Sequence, residues 1–361
     1  ERGIDQLRDV AESMVVAIQR GEPTYRLHRF AQRSRSQWDD TARSLFEVLF
    51  PQDLRTRIRP GDLLYVVPTG PLYGLPFGAL ITSDEGAPDR YLVADNPLAY
   101  LSSSSLLQIV RESSKRRSEP PRYPLLAFAA PVYEGATDDR IADVLMKQKT
   151  QSYLQYVGGT FSTIPNSVDT ARALERLLRA PSESDPLQLG DRATRGRLLA
   201  LNDDAMLDDY RYLFFGVHGV LPGEVNRIVQ PALVLSHPEQ EGYLTMGDVF
   251  GLSLNAELTT LSACNTARGE TVRGEGIRGM TRAFMYAGTE SVGATLWAVE
   301  AKSVQLLSEG LHEGLANGLG RAEALRRIKI RLIEGDAEVQ SAALFEHPYF
   351  WAPLVIFGEG A

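Results

Sequence analysis

The sequence predicts an α/β protein with a mostly parallel sheet flanked by helices, preceded by a short helical amino-terminal segment. Two observations carry this expectation. Apolar runs of strand length recur along the chain, among them Tyr212-Leu213-Phe214-Phe215-Gly216-Val217 and Leu258-Thr259-Thr260-Leu261. Between them lie stretches with apolar residues spaced by three or four, as an amphipathic helix requires. Strands that read as apolar runs and alternate with helices belong to sheets buried on both faces.

The first helix is predicted from Ile4, Leu7, Val10, Ala11, Met14 and Ile18, and a second around Ala42, Leu45, Phe46 and Leu49, stopping before Pro51. Turn chemistry at Arg59-Pro60-Gly61-Asp62 leads into a strand over Leu63–Pro68. Residues 71–80 hold too much Pro and Gly for a regular element, and the charged, Pro-bounded stretch 113–122 reads as a loop. Leu125–Ala130 is another strand, followed by a polar stretch to about residue 160. A helix capped at Asp169-Thr170 follows, then one over Thr194–Leu201. Leu233-Val234-Leu235 and Tyr243-Leu244-Thr245 read as a hairpin. A Gly-rich loop (Gly269, Gly274, Gly276, Gly279) leads into a helix bearing Ile277, Met280, Phe284 and Met285. A strand over Ser291–Trp297, helices over 302–316 and 321–333, and a final strand over Phe350–Phe357 complete the pattern. Residues 1–60 thus form a helical segment, and the strand-rich parts 61–160 and 161–361 are expected to share one sheet.

The bulk properties narrow the function. The chain has 361 residues, of which 43% are hydrophobic and 23% charged, so it can bury a substantial core. A net charge of −8 offers no general field to attract nucleic acid or an anionic membrane. No apolar run reaches the roughly 20 residues that span a bilayer. One cysteine in the whole chain excludes an internal disulfide and suits a reducing cytoplasm. The opening Glu1-Arg2-Gly3-Ile4-Asp5 has neither an initiator Met nor a signal peptide, so the chain is expected to be a segment of a longer polypeptide.

That cysteine, Cys264, ends the apolar run that begins at Leu258, and His218 ends the run that begins at Tyr212, 46 positions before Cys264. In an open α/β sheet, chemistry collects at the carboxyl ends of neighbouring strands. A thiol and an imidazole brought together there suit a cysteine nucleophile and its base. Gly219, without a Cβ, allows close approach of substrate, and its N–H together with that of Cys264 would meet an oxyanion. A structural reading competes: Cys264 as a small buried hydrophobe and His218 as a core histidine. His28, His237, His312 and His347 read as structural or solvated. No Cys or His pair has metal-ligand spacing, and the Gly-rich loop lacks the Lys of a phosphate loop, so no metal or cofactor is expected.

Several of these stretches resemble the CHAT family, caspase-like domains often found beside tetratricopeptide repeats. Phe214-Phe215-Gly216-Val217-His218-Gly219 is similar to its histidine motif, and Leu261-Ser262-Ala263-Cys264-Asn265-Thr266 to its cysteine motif. The similarity continues through Gly274–Gly279, Ala283–Gly288, Ala294–Trp297 and His347–Ala352, with amino-terminal markers at Val67–Leu72 and Leu75–Leu80. It covers about residues 60–361. The resemblance implies a caspase-hemoglobinase α/β fold and a His218–Cys264 dyad. It also implies a non-catalytic half over 61–160 supporting a catalytic half over 161–361, with 1–60 as a connector or the end of a repeat array. The implied activity is a regulated cysteine endopeptidase cutting specific partner proteins, in a bacterial defence or signalling system. Its partners would be a protein substrate, such as a gasdermin-type protein, and an upstream repeat or sensor, such as a CRISPR effector. No direct contact with nucleic acid or membrane is implied.

The chain departs from the family pattern in three places. Gly216-Val217 stands where a small or hydroxylated residue and Thr usually precede His-Gly. Glu300 occupies a position commonly Asp, and Pro165-Asn166-Ser167 replaces the usual Pro-Gly-Thr turn. The acidic residues Asp248, Glu275 and Glu300 are candidates for a pocket that takes a basic side chain through charge-assisted hydrogen bonds, with Trp297 walling the groove. Set against this, Glu275 orders the Gly-rich loop, Glu300 lies on the surface and Trp297 fills the core. Two other functions remain open at this stage: a protein-interaction module that leaves its dyad unused, and a different thiol-dependent acyl-transfer enzyme.

Overall fold

Apolar runs from both strand-rich parts of the chain join one sheet. The computed structural model describes residues 2–19, 24–84, 86–116, 120–133, 161, 164, 166–222, 225, 228–237, 241–262, 273–297, 299–335 and 342–361. Its strands are β1 (Leu64–Val66), β2 (Leu98–Tyr100), β3 (Tyr123–Ala129), β4 (Leu187–Leu189), β5 (Tyr210–Gly216), β6 (His218–Val220), β7 (Ala232–Val234), β8 (Tyr243–Thr245), β9 (Leu258–Leu261), β10 (Ser291–Thr295) and β11 (Leu354–Gly358). Eight of them form a sheet in the order β1-β2-β11-β10-β9-β5-β3-β4, and β6-β7-β8 form a small antiparallel sheet beside it. In the large sheet every described pairing is parallel except β10 with β11. The fold is therefore α/β with a mostly parallel central sheet. Residues 61–160 supply β1 and β2 near one edge and β3 between β5 and β4, so the two parts of the chain interleave.

The longer helices are α1 (Arg2–Gln19), α2 (Thr24–Leu49), α5 (Ser104–Arg116), α6 (Ser167–Leu178), α7 (Arg195–Asp203), α9 (Arg273–Tyr286), α10 (Ala301–Ala316) and α11 (Arg321–Ile333). Shorter ones are α3 (Gln52–Arg55), α4 (Leu92–Asp95), α8 (Met246–Phe250), α12 (Ala342–Phe345) and α13 (Pro348–Trp351). Alternate side chains of β5 point to opposite faces, and helices cover both. Phe215 packs on Phe284 of α9 with ring centroids 5.5 Å apart, whereas Tyr212 meets His312 of α10 edge-on at 5.7 Å. Every residue of β9, β10 and β11 is buried, including Thr259, Thr260, Ser291 and Thr295, which is why these strands hold no charged residue and show no alternation of buried and exposed positions. Each large side chain so enclosed contributes about 1.5–3 kcal/mol.

The amino-terminal helices are fixed to this body. Trp38 of α2 is fully buried, and the Tyr91 hydroxyl donates to Asp39 at 3.0 Å. His347 Nδ1 accepts the Tyr349 N–H at 3.1 Å and so caps α13, which leaves the proton on Nε2, 3.2 Å from Ser34 Oγ on α2. Burial, reinforced by the Arg35 cation, pushes His347 down to about 3 and keeps it neutral.

Several boundaries differ from the sequence expectation. The final strand begins at Leu354 rather than Phe350, because Pro348 at the first helical position and the His347 cap turn 348–351 into a helix. Helix α5 continues to Arg116, into the stretch read as a loop. Helix α6 starts at Ser167, after Asn166 in the left-handed conformation with no side-chain cap, so Asp169-Thr170 lie in its first turn. The hairpin is present as β7 and β8, with Leu233 opposite Leu244. The polar stretch 134–160 lies outside the described residues.

Gly288 closes α9 with φ +117°, where a Cβ would come within 2.0 Å of the Leu254 carbonyl oxygen. Gly288→Ala is expected to lower stability by about 2–3 kcal/mol, from backbone strain plus displacement of that carbonyl, in urea unfolding. An unchanged midpoint would contradict the close approach.

Candidate active site

Parallel pairing of β5 with β9 sets Tyr212 opposite Leu258, Leu213 opposite Thr259, Phe214 opposite Thr260 and Phe215 opposite Leu261. The Ser262 N–H extends the ladder by donating to the Phe215 carbonyl at 2.9 Å. On the other side, β10 places Ala294 opposite Leu261. Phe215, Leu261 and Ala294 therefore form one row across three adjacent strands. Three positions beyond that row in sequence stand His218, Cys264 and Trp297. Cys264, the Gly-rich residues up to 272 and the Glu275 side chain lie outside the described residues.

His218 does not end the sheet strand. The chain breaks step at Val217, and His218 opens β6, opposite Val234, with Gly219 opposite Leu233. His218 is buried against two aromatic rings, Tyr133 and Phe161, at centroid distances of 5.5 and 5.7 Å. Sequence reasoning missed both rings: each sits beside polar chain, with no periodicity to mark it. Gly216 lets the start of α6 approach this strand. A Cβ there would lie 2.9 Å from Phe214 and 3.1 Å from Ser167, which gives a steric reason for glycine before the histidine.

The other singled-out residues each have a structural partner. Asp248 closes a capping box at the start of α8, accepting from the Thr245 N–H at 2.8 Å. Its carboxylate also receives a bidentate pair from Arg195, at 3.1 Å from Nε and 2.7 Å from the terminal nitrogen. Desolvation would raise this carboxyl, but hydrogen bonds from Arg195 and Thr245 outweigh it and hold Asp248 below the usual carboxylate range. Glu300 caps α10 by accepting the Ser303 N–H at 2.9 Å. Trp297 is half-buried, donates its indole N–H to the Tyr349 carbonyl at 3.2 Å, and meets Trp38 edge-on at 6.1 Å. Among the described residues no cluster of three or more His, Cys, Asp or Glu could hold a metal, and no helix is long and apolar enough to cross a membrane.

The sheet defines an α/β protein in which His218 follows β5 after a one-residue break, and β9, the neighbour of β5, leads in sequence toward Cys264. The chain belongs to the CHAT domain family, whose pattern matches residues 39–359. Tetratricopeptide repeat protein 28 of Mus musculus and that of Homo sapiens are each 32% identical to it over 122 residues, 34% of this chain. The match spans 5% of the length of each of these relatives. Among solved structures, the Arg-specific cysteine proteinase gingipain R is similar over 89% of this chain and 67% of its own, with a TM-score of 0.46 and 9% identity. The separase of the Saccharomyces cerevisiae separase–securin complex is similar over 82% of this chain and 15% of its own, with a TM-score of 0.43 and 13% identity.

Proposed function

We propose that this chain is a cysteine endopeptidase with His218 as base and Cys264 as nucleophile. The observation that carries the reading is the β5–β9 register, with Phe215 opposite Leu261 and the imidazole and thiol each three positions further on. Membership of the CHAT family supports it. In this mechanism His218 takes the proton of the Cys264 thiol as sulfur bonds to the scissile carbonyl carbon. The oxyanion accepts hydrogen bonds from the N–H groups of Gly219 and Cys264. His218 then gives the proton to the leaving amine as the C–N bond breaks, and water, deprotonated by the same imidazole, releases the acyl group from sulfur.

Residues 161–361 carry this chemistry and 61–160 brace it by sharing the sheet. Asp248 and Glu300 already cap helices, so any recognition of a basic side chain by them, or any groove wall formed by Trp297, would be additional to those structural contacts. The substrate is a protein, the setting is cytoplasmic signalling or defence, and an upstream repeat or sensor switches the enzyme. A protein-interaction module is the second reading, favoured by the structural partners that Asp248, Glu300 and Trp297 already have.

Incubation with a diverse peptide library and candidate partner proteins, read by mass spectrometry of new termini, tests the proposal. Cuts by the native chain that vanish in Cys264→Ala support it. Cuts that persist in that variant overturn it.

A further inference from the structure

The aromatic surroundings of His218 have no part in the proton transfers above. Tyr133 and Phe161 lie 5.5 and 5.7 Å from the imidazole centroid and 5.3 Å from each other. Three nearly equal separations make a triangle, so the two rings stand side by side against the imidazole rather than sandwiching it. Phe161 is the nearer to parallel, at 28°, and Tyr133 is tilted by 36°. Tyr133 and Phe161 are each 4% exposed and His218 is 7% exposed, which leaves little room for water on that side. Tyr243 backs Phe161 edge-on at 6.3 Å, so the Phe161 ring is itself held.

Tyr133 has a second hold. Its hydroxyl donates to the Val234 carbonyl at 3.2 Å and hydrogen bonds the His218 backbone. Val234 is the residue opposite His218 in the β6–β7 pair. One side chain therefore ties the imidazole, its own backbone and its cross-strand neighbour together. Burial drives the Tyr133 phenol far above its usual range, which keeps the hydroxyl protonated and able to donate.

A histidine base has a broad second side-chain torsion, and an imidazole turned out of line presents no nitrogen to the thiol. Small misplacements of this kind cost as much as 10²-fold in rate. Aromatic faces restrict that rotation, since tilted and offset ring pairs are favoured geometries. They also attract a neighbouring cation, which favours the imidazolium partner of a thiolate.

We propose that Tyr133 and Phe161 are positioning residues for His218: they set the plane of its ring and shelter it while it is paired with the Cys264 thiolate. The inference rests on the dyad reading above. It adds a pair of residues from outside both motif strands, reaching His218 from positions 85 and 57 before it in sequence.

Because Cys264 is the only cysteine, its alkylation by iodoacetamide reports one sulfur and needs no substrate. A thiolate held by an imidazolium reacts well below the ordinary thiol midpoint near pH 8.5. Phe161→Leu keeps apolar bulk without a ring, and Tyr133→Phe keeps the ring without the hydroxyl. Each is expected to lower the alkylation rate near pH 6 by about 3–10-fold and to move the profile toward that of a free thiol, with Phe161→Tyr restoring it. Thermal unfolding is measured on the same samples. A fall in melting temperature with the native pH profile kept would overturn the inference, because a purely structural role predicts that pattern. Tyr133→Phe, which leaves all three rings in place, keeps the test open if loss of the Phe161 ring unfolds the chain. His218→Ala separates the two levels of the argument. If that variant keeps the native profile, the dyad falls and this inference with it. If it shifts while Phe161→Leu and Tyr133→Phe do not, only the positioning role falls.

Discussion

His218→Ala is expected to lower peptide hydrolysis by about 10²–10⁴-fold, the usual share of a positioned general base. Two steps lose their proton carrier. With no imidazole nearby, Cys264 is a few per cent thiolate at neutral pH. The departing amine also loses its acid. In the proposed mechanism the oxyanion donors are backbone groups and survive the substitution, so the residual rate is expected to remain above that of the uncatalysed reaction. The signature is an equal fall in kcat and kcat/KM, because a base acts in the transition state and not in binding the peptide. The experiment compares native and variant chains on whichever peptide the library screen identifies, with melting temperature as a control for the lost packing on Tyr133 and Phe161. A variant with native turnover would remove His218 from the chemistry and leave an interaction module as the stronger reading.

The second large effect concerns stability. Lys329 lies on the buried face of α11 between Ile328 and Leu332, is 5% exposed, and directs its ammonium at the Ala352 carbonyl 3.3 Å away. Among the described residues no carboxylate forms an ion pair with it. Burial brings its pKa down from 10.5 to about 7. Between about pH 7 and 10.5 the unfolded chain therefore holds a proton that the native chain has released. Stability contributed by this site rises with pH across that window, and below about pH 7 the burial penalty is present in full. Lys329→Met keeps the length of the side chain and removes the charge. It is expected to stabilise the protein by on the order of 3–5 kcal/mol at pH 7, with the gain shrinking toward zero at the alkaline end. Urea unfolding of both chains from neutral to alkaline pH gives the difference directly. Parallel curves would show that Lys329 keeps its ordinary titration in the folded state.

The sheet was legible where burial left a stretch of apolar and small uncharged residues, as over most of β3 and β5 and in β9 and β10. Length alone did not decide the rest, since β7 and β8 have three residues each and still read as a hairpin, whereas β2 and β4 did not read as strands. Strands β2 and β4 have three residues each and follow Pro97 and Pro186. Composition misled at Phe350-Trp351, which read as the start of the final strand, whereas Pro348 and the His347 cap favour a helical turn over Pro348–Trp351. At the candidate site, the two motif strands announced themselves because their rigid runs are local in sequence. Tyr133, Phe161 and Trp38 did not, because their contacts with His218 and Trp297 arise only when distant segments meet. The roles of Asp248 and Glu300 turned on which hydrogen bonds their carboxylates form, and spacing carries no record of that.

The order of the large sheet has a consequence for how the chain is made. Strand β2 is neighboured on its inner side by β11, where Tyr100 stands opposite Phe357. Synthesis runs from the amino end, and domains assemble as their parts emerge. When β1 and β2 have just been translated, the strand that joins them to the rest of the sheet is still more than 250 residues from being made. Contacts of such long sequence separation are slow to form, since the intervening loop must close first. A nascent chain can hold β3, β5, β9 and β10 side by side, yet the sheet stays in two unconnected pieces until its last strand is delivered. Premature termination anywhere before residue 354 therefore leaves β1 and β2 without the strand that joins them to the remainder.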